Sequence, residues 1–297
     1  MKRKLKEVSG THLEWVRVTP LAVVVATSEH VWLHEVRTFD PSDPFTQPMR
    51  DEGCFATTGN LLDGVICAAQ RSIAKAKRTP PLTLCRWAWR LAGYYHTTHA
   101  TPRLMIEAAD RFAAAGRTGL AQYAARKARD ERRHDELALR DLRALGYHAE
   151  LLVENLIPST ATRLVDYFTR LVHAPEPVGC IGYSYALERL AVAVNKDYIE
   201  QVKALLPPGV RATRCLRVHS ALGSDARHLG EAIEIIASLT ARERRRVALA
   251  CYETTRICCQ PPPEGYLSEK EMKQRLLTLM LVTSQKGVET WQTIKPQ

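Results

Sequence analysis

The sequence predicts an all-α helical bundle preceded by an irregular or partly β N-terminal arm. Stretches rich in Ala, Leu and Arg begin near residue 61 and carry apolar residues at helical spacing. Proline and glycine separate these stretches, as expected for helices joined by short turns. The chain has 297 residues, 45% of them hydrophobic, so it can bury one large core.

The elements follow from local composition. Residues 13–39 are rich in Val, Thr and Trp, which predicts one or two short strands or an irregular arm laid on the body. Residues 40–60 are loop-like because proline and glycine recur there. Thr240 and Glu243 have the spacing of a capping box at a helix start. Helices are predicted over 61–78, 82–96, 101–115, 118–146, 159–173, 180–206, 211–239, 240–258 and 268–284.

The charge balance favours small-molecule partners over nucleic acid. The formal net charge is +10, but arginine is scattered among acids in helical stretches such as 126–136 and 242–246, which indicates solvated helix faces. The eight cysteines include no C-x-x-C pair, which argues against a zinc ribbon. The charged start and the short apolar run at 21–26 predict neither a signal peptide nor a membrane span, so we expect a cytoplasmic protein with free thiols.

The informative positions in a bundle are acids and imidazoles that stand where the core should be, because a buried charge needs a partner. Glu131 and His134 are three residues apart in the predicted helix 118–146, so they share a face near its apolar stripe. Glu-x-x-His is the spacing used by helix-bundle di-iron sites. Charged helices also produce this spacing by chance, so a solvated face is the alternative for this helix alone.

A second polar group lies in the predicted helix 211–239. Asp225 and His228 form another i,i+3 pair among leucine and isoleucine residues, and His219 precedes them. An acid and two imidazoles on an otherwise apolar helix are hard to bury unless a cation neutralises the acid and occupies the imidazole lone pairs. This helix therefore favours a metal site.

Two more helices each offer one acid. Glu188 lies in the apolar run 183–194, where burial and exposure are both compatible with the segment. Glu107 follows three apolar residues, and Asp110 is the competing acid on that helix. The full candidate set, four carboxylates and three imidazoles, is Glu107, Glu131, His134, Glu188, His219, Asp225 and His228. These oxygen and nitrogen ligands suit Fe(II) or Mn(II), and four carboxylates can neutralise two divalent ions.

This order of residues resembles the heme-oxygenase-like di-iron oxidase and oxygenase superfamily, which has the architecture of heme oxygenase without haem. Its pattern is a Glu on the first core helix, Glu and His on the second, Glu on a third and His-x-x-x-Asp-x-x-His on a fourth. Glu107, Glu131 with His134, and Glu188 match the first three helices, and 219–228 (HSALGSDARH) resembles the last motif.

The resemblance covers about residues 60–258. It implies a heme-oxygenase-like helical di-iron domain over 61–258, with an N-terminal arm over 1–60 and a C-terminal linker and helix over 259–297 outside the match. One departure concerns His219, which stands six residues before Asp225 where the family has four. Six residues turn a regular helix by about 240°, so His219 would miss the metal unless the helix unwinds at Gly223. Asp225 and His228 are therefore the firmer ligand candidates.

The resemblance implies two Fe(II) ions, dioxygen as co-substrate and a small amine- or carboxylate-bearing substrate, such as an amino acid or fatty acid of specialised metabolism. N-oxygenation, desaturation, decarboxylation and C–C cleavage are outcomes known for such proteins. Arg189 could pair with a substrate carboxylate. The alternative is that Arg189 forms an ion pair with an acid on the protein surface. A homodimer formed through the arm over 13–39 is a further expectation.

Three alternatives stay open. A ferritin-like di-iron oxygenase would use a second Glu-x-x-His where this chain has Asp225 and His228. A metal-free enzyme of the same architecture, thiaminase-like or similar to pyrroloquinoline-quinone synthesis enzymes, would not need so many carboxylates at ligand spacing. A basic helical binding protein would perform no chemistry, and iron content would separate it from the iron enzymes.

Overall fold

A three-stranded antiparallel sheet precedes a helical bundle in the computed structural model, which describes residues 12–36, 43–50, 52–74, 76–194, 196–220 and 225–277. The strands are β1 Glu14–Thr19, β2 Ala22–Ala26 and β3 Val31–Glu35. The helices are α1 Phe55–Ile73, α2 Leu84–Ala114, α3 Thr118–Asp130, α4 Asp135–Ala144, α5 Ala149–Asn155, α6 Ser159–His173, α7 Gly179–Val192, α8 Lys196–Leu205, α9 Arg214–Val218, α10 Asp225–Ala237, α11 Ala241–Cys259 and α12 Glu269–Leu277. Within the described ranges, each helix is too short or too polar to cross a membrane.

The N-terminal sheet packs into the body, and the predicted helical bundle with a partly β arm is confirmed. Val16 and Val24 belong to the same apolar cluster as α1. Glu14 on β1 is buried and accepts a hydrogen bond from Thr58 Oγ1 on α1 at 2.7 Å. Its other oxygen lies 3.3 Å from Nε of Arg244 on α11. The sheet is thus tied to two helices through a buried charge pair, and the division of the chain at residue 60 stays a prediction.

The core has two large apolar clusters, and α2 runs through both. Trp87 and Leu91 from its first half pack in one cluster, which also contains residues of α4, α8 and α9. Leu104 and Phe112 from its second half pack in the other, with α1, α3, α7 and α10. The sequence predicted two helices separated by a turn before Pro102, and this was wrong. Packing on both sides of the proline keeps the helix continuous, since tertiary burial outweighs the lost backbone hydrogen bond.

Three predicted long helices are instead interrupted, each where the chain passes from one cluster to the other. The predicted helix 118–146 breaks between α3 and α4, where Arg133 has a positive φ of 69°. The predicted helix 180–206 divides into α7 and α8, and 211–239 divides into α9 and α10, with 221–224 outside the described residues. In each case one of the two helices packs in the cluster that contains Trp87, and the other packs in the cluster that contains Leu104. Each interruption therefore lies where the chain passes from one apolar cluster to the other.

The other observed element boundaries differ less from the predicted ones. The first helix begins at Phe55, before the predicted residue 61, and α5 was not predicted. The predicted strand region contains three strands where one or two were expected. The capping box of Thr240 and Glu243 is confirmed at the start of α11. The last helix begins at Glu269, and residues 278–284 of its prediction lie outside the described part of the chain.

Close packing of α7 against α11 fixes the helix that carries Glu188. Any side chain at Gly182 on α7 would overlap the carbonyl oxygen of Val247 on α11, so only glycine permits this approach. The contact leaves little freedom for α7 to slide. The position of Glu188, further along the same helix, is therefore set by backbone packing.

Glu14→Gln should lower the free energy of unfolding by about 3 kcal/mol, because the change leaves the buried guanidinium of Arg244 without its counter-charge. Urea unfolding followed by circular dichroism measures this effect. Glu200→Gln is the matched control: Glu200 forms an exposed pair with Lys203, and its loss should change stability by less than about 0.5 kcal/mol. Equal effects of the two substitutions would contradict the structural role of the Glu14 pair.

Candidate metal centre

Glu131 and His134 stand at the turn between α3 and α4, where the two apolar clusters meet. Glu131 caps α3, and the backbone N–H of His134 donates to the carbonyl of Glu131 at 3.3 Å. Nδ1 of His134 donates to Oε2 of Glu131 at 2.9 Å. The sequence predicted that this pair would come together on one helix face, and the turn brings it together instead. The positive φ of Arg133 is part of this turn.

The environment keeps Glu131 ionised. Burial alone would raise the pKa of this carboxyl group, but the hydrogen bond from His134 and the positive charge of Lys127 lower its pKa far below the usual range. Glu131 is buried, whereas His134 remains partly exposed. The turn therefore presents a carboxylate and an imidazole side by side.

His219 reaches this turn because α9 is anchored on α4. Asp141 on α4 is fully buried and accepts two hydrogen bonds from the start of α9, from the backbone N–H of Cys215 and from Nη1 of Arg214, both at 3.0 Å. This carboxylate satisfies donors at the N-terminal end of the short helix, where a negative charge is favoured. His219 follows α9 directly, and its ring stands edge-on to that of His134 with centroids 4.8 Å apart.

Glu131, His134 and His219 form a three-ligand group. One donor atom from each residue can be chosen so that all three lie within 4.8 Å of one another. On a continuous helix over 211–239, His219 was expected to miss the metal. Since α9 ends at Val218 and α10 begins at Asp225, His219 does not lie on such a helix.

A buried lysine adjoins the three-ligand group. Nζ of Lys127 lies 2.9 Å from Oε1 of Glu131, one helical turn further along, and also contacts Oε1 of Glu188 on α7. Lys127 is only 5% exposed. Burial disfavours its charge, but the two carboxylates raise the pKa of Lys127 above its ordinary value, so it is an ammonium at neutral pH. Ser184 Oγ donates to Glu188 from one turn earlier on α7, at 3.2 Å.

Sequence reasoning missed Lys127 because it treated residues 126–136 as a solvated helix face. A Lys four residues before a Glu is the usual surface ion pair. The position of Lys127 along the helix could have identified it as buried. Leu120, Tyr123 and Ala124 form the buried stripe of α3, and Lys127 continues that stripe by one turn. Asp130 was also missed; its carboxylate lies 4.0 Å from Nε2 of His228.

Of the other predicted ligands, Glu107 is held by partners outside the three-ligand group. Glu107 accepts from Arg103 on its own helix and contacts His173 on α6, with about a third of its side chain exposed. The inward face of α2 carries residues such as Leu104 and Ala108, so Glu107 falls at the edge of the apolar stripe. His228 lies beside the end of α3, next to Asp130. Asp225 begins α10, and its side chain lies outside the described residues.

Comparison with known proteins identifies the family. A family model described as "iron-containing redox enzyme" matches residues 88–259, more than half of the chain. The chain belongs to this family. The resemblance drawn from the sequence is thereby confirmed at the level of an iron-containing redox enzyme, and the matched segment includes every residue of the three-ligand group.

A solved structure supports the fold of this iron-containing redox enzyme. The crystal structure of a domain of unknown function with a heme oxygenase-like fold from Shewanella denitrificans aligns with a TM-score of 0.52. The alignment covers 74% of this chain and 91% of that chain at 17% sequence identity. At such low identity the likeness shows the fold alone, and it confirms the predicted heme-oxygenase-like bundle. No curated protein matches the chain.

The three-ligand group fits the iron that the family implies. Two imidazoles and one carboxylate are the ligand set of non-haem Fe(II) sites that keep open coordination positions. Ligand atoms held at about 2.1 Å from one ion lie about 3 Å apart when adjacent, and Oε2 of Glu131 and Nδ1 of His134 stand 2.9 Å apart, so an ion bound by both would replace the proton of their hydrogen bond. The low pKa of Glu131 supplies the anion that a ferrous ion requires.

His219→Gln and His134→Gln should each weaken Fe(II) binding by at least about tenfold, because each removes one of three protein ligands. Anaerobic Fe(II) titration followed by elemental analysis after desalting measures the loss. His173→Gln is the control, since His173 is exposed and contacts Glu107 away from the three-ligand group. Unchanged iron affinity in both ligand variants would rule out this assignment.

Proposed function

We propose that the protein activates dioxygen on iron held by Glu131, His134 and His219, and oxidises a small amine- or carboxylate-bearing molecule. The observation that carries this proposal is the group of two imidazoles and one ionised carboxylate in a chain of the iron-containing redox enzyme family. N-oxygenation, desaturation, decarboxylation and C–C cleavage in a biosynthetic route are the outcomes in view. The iron, when bound, supplies the electrons and the open positions for dioxygen.

The chain's own contribution is to hold the ligands and to limit water at the centre. Glu131 and Lys127 are buried, and Tyr123 packs close to Glu188. Burial and the charge of Glu188 raise the pKa of Tyr123, so its phenol stays protonated. These groups place fixed charges and apolar surface next to Glu131, which strengthens the electrostatic interactions of its carboxylate.

A di-iron form, as the sequence predicted, is the second candidate. His228 favours it, because it lies at the same end of α3 as Glu131. A second ion would draw on His228 and on Glu188, and Glu188 would exchange its contact with Lys127 for the ion. Dioxygen chemistry is compatible with either form, so the proposed function does not depend on the number of ions.

A cleft between three helices offers a proposed substrate position. Its volume is about 280 Å³, and its walls come from α1, α7 and α10. Arg189 and Leu229 line it, and they directly follow Glu188 and His228 in the chain. Ligand pockets are commonly about 300 Å³ or larger, so this volume favours an amino-acid-sized molecule over a long fatty acid.

Arg189 gives the cleft a cationic group. Its Nε and Nη2 donate to the two carboxylate oxygens of Asp63 at 2.8 and 3.1 Å, and the side chain is about one-third exposed. The ion pair fixes the guanidinium and leaves Nη1 for a carboxylate in the cleft. Asp63 also accepts from the hydroxyl of Tyr185. This acid–base pair suits a substrate that bears a carboxylate, an amine or both.

Anaerobically Fe(II)-loaded protein should consume dioxygen on mixing with air-saturated buffer, and some amino acids or small carboxylic acids should accelerate the consumption. An oxygen electrode with a panel of these compounds measures both effects. His219→Gln should abolish the acceleration, whereas the exposed control His173→Gln should retain it. Iron-replete protein that consumes no dioxygen with any compound in the panel would overturn the proposed function.

Arg189→Ala should raise the KM for a carboxylate-bearing substrate by about tenfold or more, with a smaller effect on kcat, because it removes a charged hydrogen-bond donor from the cleft. Steady-state oxygen consumption gives both constants. Arg103→Ala is the matched control, since Arg103 is exposed and pairs with Glu107 outside the cleft. A KM that stays at the wild-type value in Arg189→Ala would contradict the assigned position of the substrate.

A further inference from the structure

The ammonium of Lys127 stands between two carboxylates that the sequence assigned to a pair of iron ions. Nζ contacts Oε1 of Glu131 at 2.9 Å and also contacts Oε1 of Glu188. All three side chains are nearly fully buried, at 10% exposure or less. Lysine is rarely buried unless it is paired, so its presence here depends on both acids. Lys127 therefore joins α3 to α7 in the way that a metal ion shared by Glu131 and Glu188 would.

The charge balance at this point accommodates one metal ion. Glu131, Glu188 and Lys127 together carry one net negative charge, and the imidazoles of His134 and His219 add none when they are neutral ligands. One Fe(II) ion changes the sum to one positive charge. Counted over the described side chains that contact Lys127, a second Fe(II) ion would raise the sum to three positive charges and would stand next to the ammonium, where repulsion between like charges is strong.

We propose that Lys127 is a built-in cation that takes the place of a second iron, so that each chain binds one iron ion, at Glu131, His134 and His219. The proposal rests on the proposed function only in requiring that iron binds at this group. Glu188 then serves as the counter-charge of Lys127 and not as an iron ligand. The lysine holds α3 and α7 together whether or not iron is present.

The test is anaerobic Fe(II) titration with elemental analysis of the desalted protein, applied to wild type, Lys127→Met and Lys127→Arg. We expect one iron per chain in wild type and in Lys127→Arg, which keeps the positive charge. Lys127→Met should bind two, because the ammonium that contacts both Glu131 and Glu188 is removed. Lys203→Met is the matched control: Lys203 is exposed and pairs with Glu200, so one iron should remain.

A double variant tests whether binding of the second ion depends on the carboxylate of Glu188. Lys127→Met with Glu188→Gln should return to one iron per chain, because the carboxylate needed by the second ion is gone. Two irons in wild type, or one in a folded Lys127→Met, would overturn the proposal. Wild type that binds no iron would overturn the proposed function as well, so the two failures are distinguishable.

A measurement on wild type alone covers the case in which Lys127→Met does not fold. Mn(II) loaded to saturation should give the electron paramagnetic resonance spectrum of an isolated ion. An exchange-coupled spectrum from two neighbouring Mn(II) ions would contradict the proposal. Neither readout depends on catalytic turnover.

Discussion

The contact of Lys127 with Glu131 and Glu188 is the interaction on which the centre depends. It places one positive and two negative charges in a region from which most water is excluded, and the ammonium offsets the cost of burying both carboxylates. The same contact links α3 to α7 and holds the carboxylate of Glu131 next to His134. The same side chains therefore determine how α3 contacts α7 and where the negative charge of Glu131 lies.

The position of the centre follows from how the chain connects its two apolar clusters. The helix pairs α3 and α4, α7 and α8, and α9 and α10 each cross from one cluster to the other, and each is interrupted at the crossing. An interruption frees side chains from helical periodicity. His219 stands beside His134 directly after the end of α9, and Asp141 fixes that arrangement from α4.

The N-terminal sheet and the cleft are both connected to α7, the helix that carries Glu188. The buried pair of Glu14 and Arg244 fastens β1 to α11, which packs against α7. On its other side α7 presents Arg189 to a cleft that α10 also lines. One helix thus carries the counter-charge of Lys127 and, one residue later, the cation proposed to bind a substrate. A displacement of α7 would alter the surroundings of Glu131 and the cleft together.

The sequence by itself determined the helical class, the capping box at Thr240, the resemblance to iron enzymes of heme-oxygenase-like fold, and the pairing of Glu131 with His134. These depend on short-range spacing and composition, which a single chain displays directly. Only the tertiary structure decided the continuity of α2 through Pro102, the position of Glu107 at a helix edge, and the burial of Lys127. The physical reason is that each of these depends on what packs against the residue from elsewhere in the chain: apolar contacts on both sides of Pro102, Arg103 and His173 around Glu107, and two carboxylates around one ammonium.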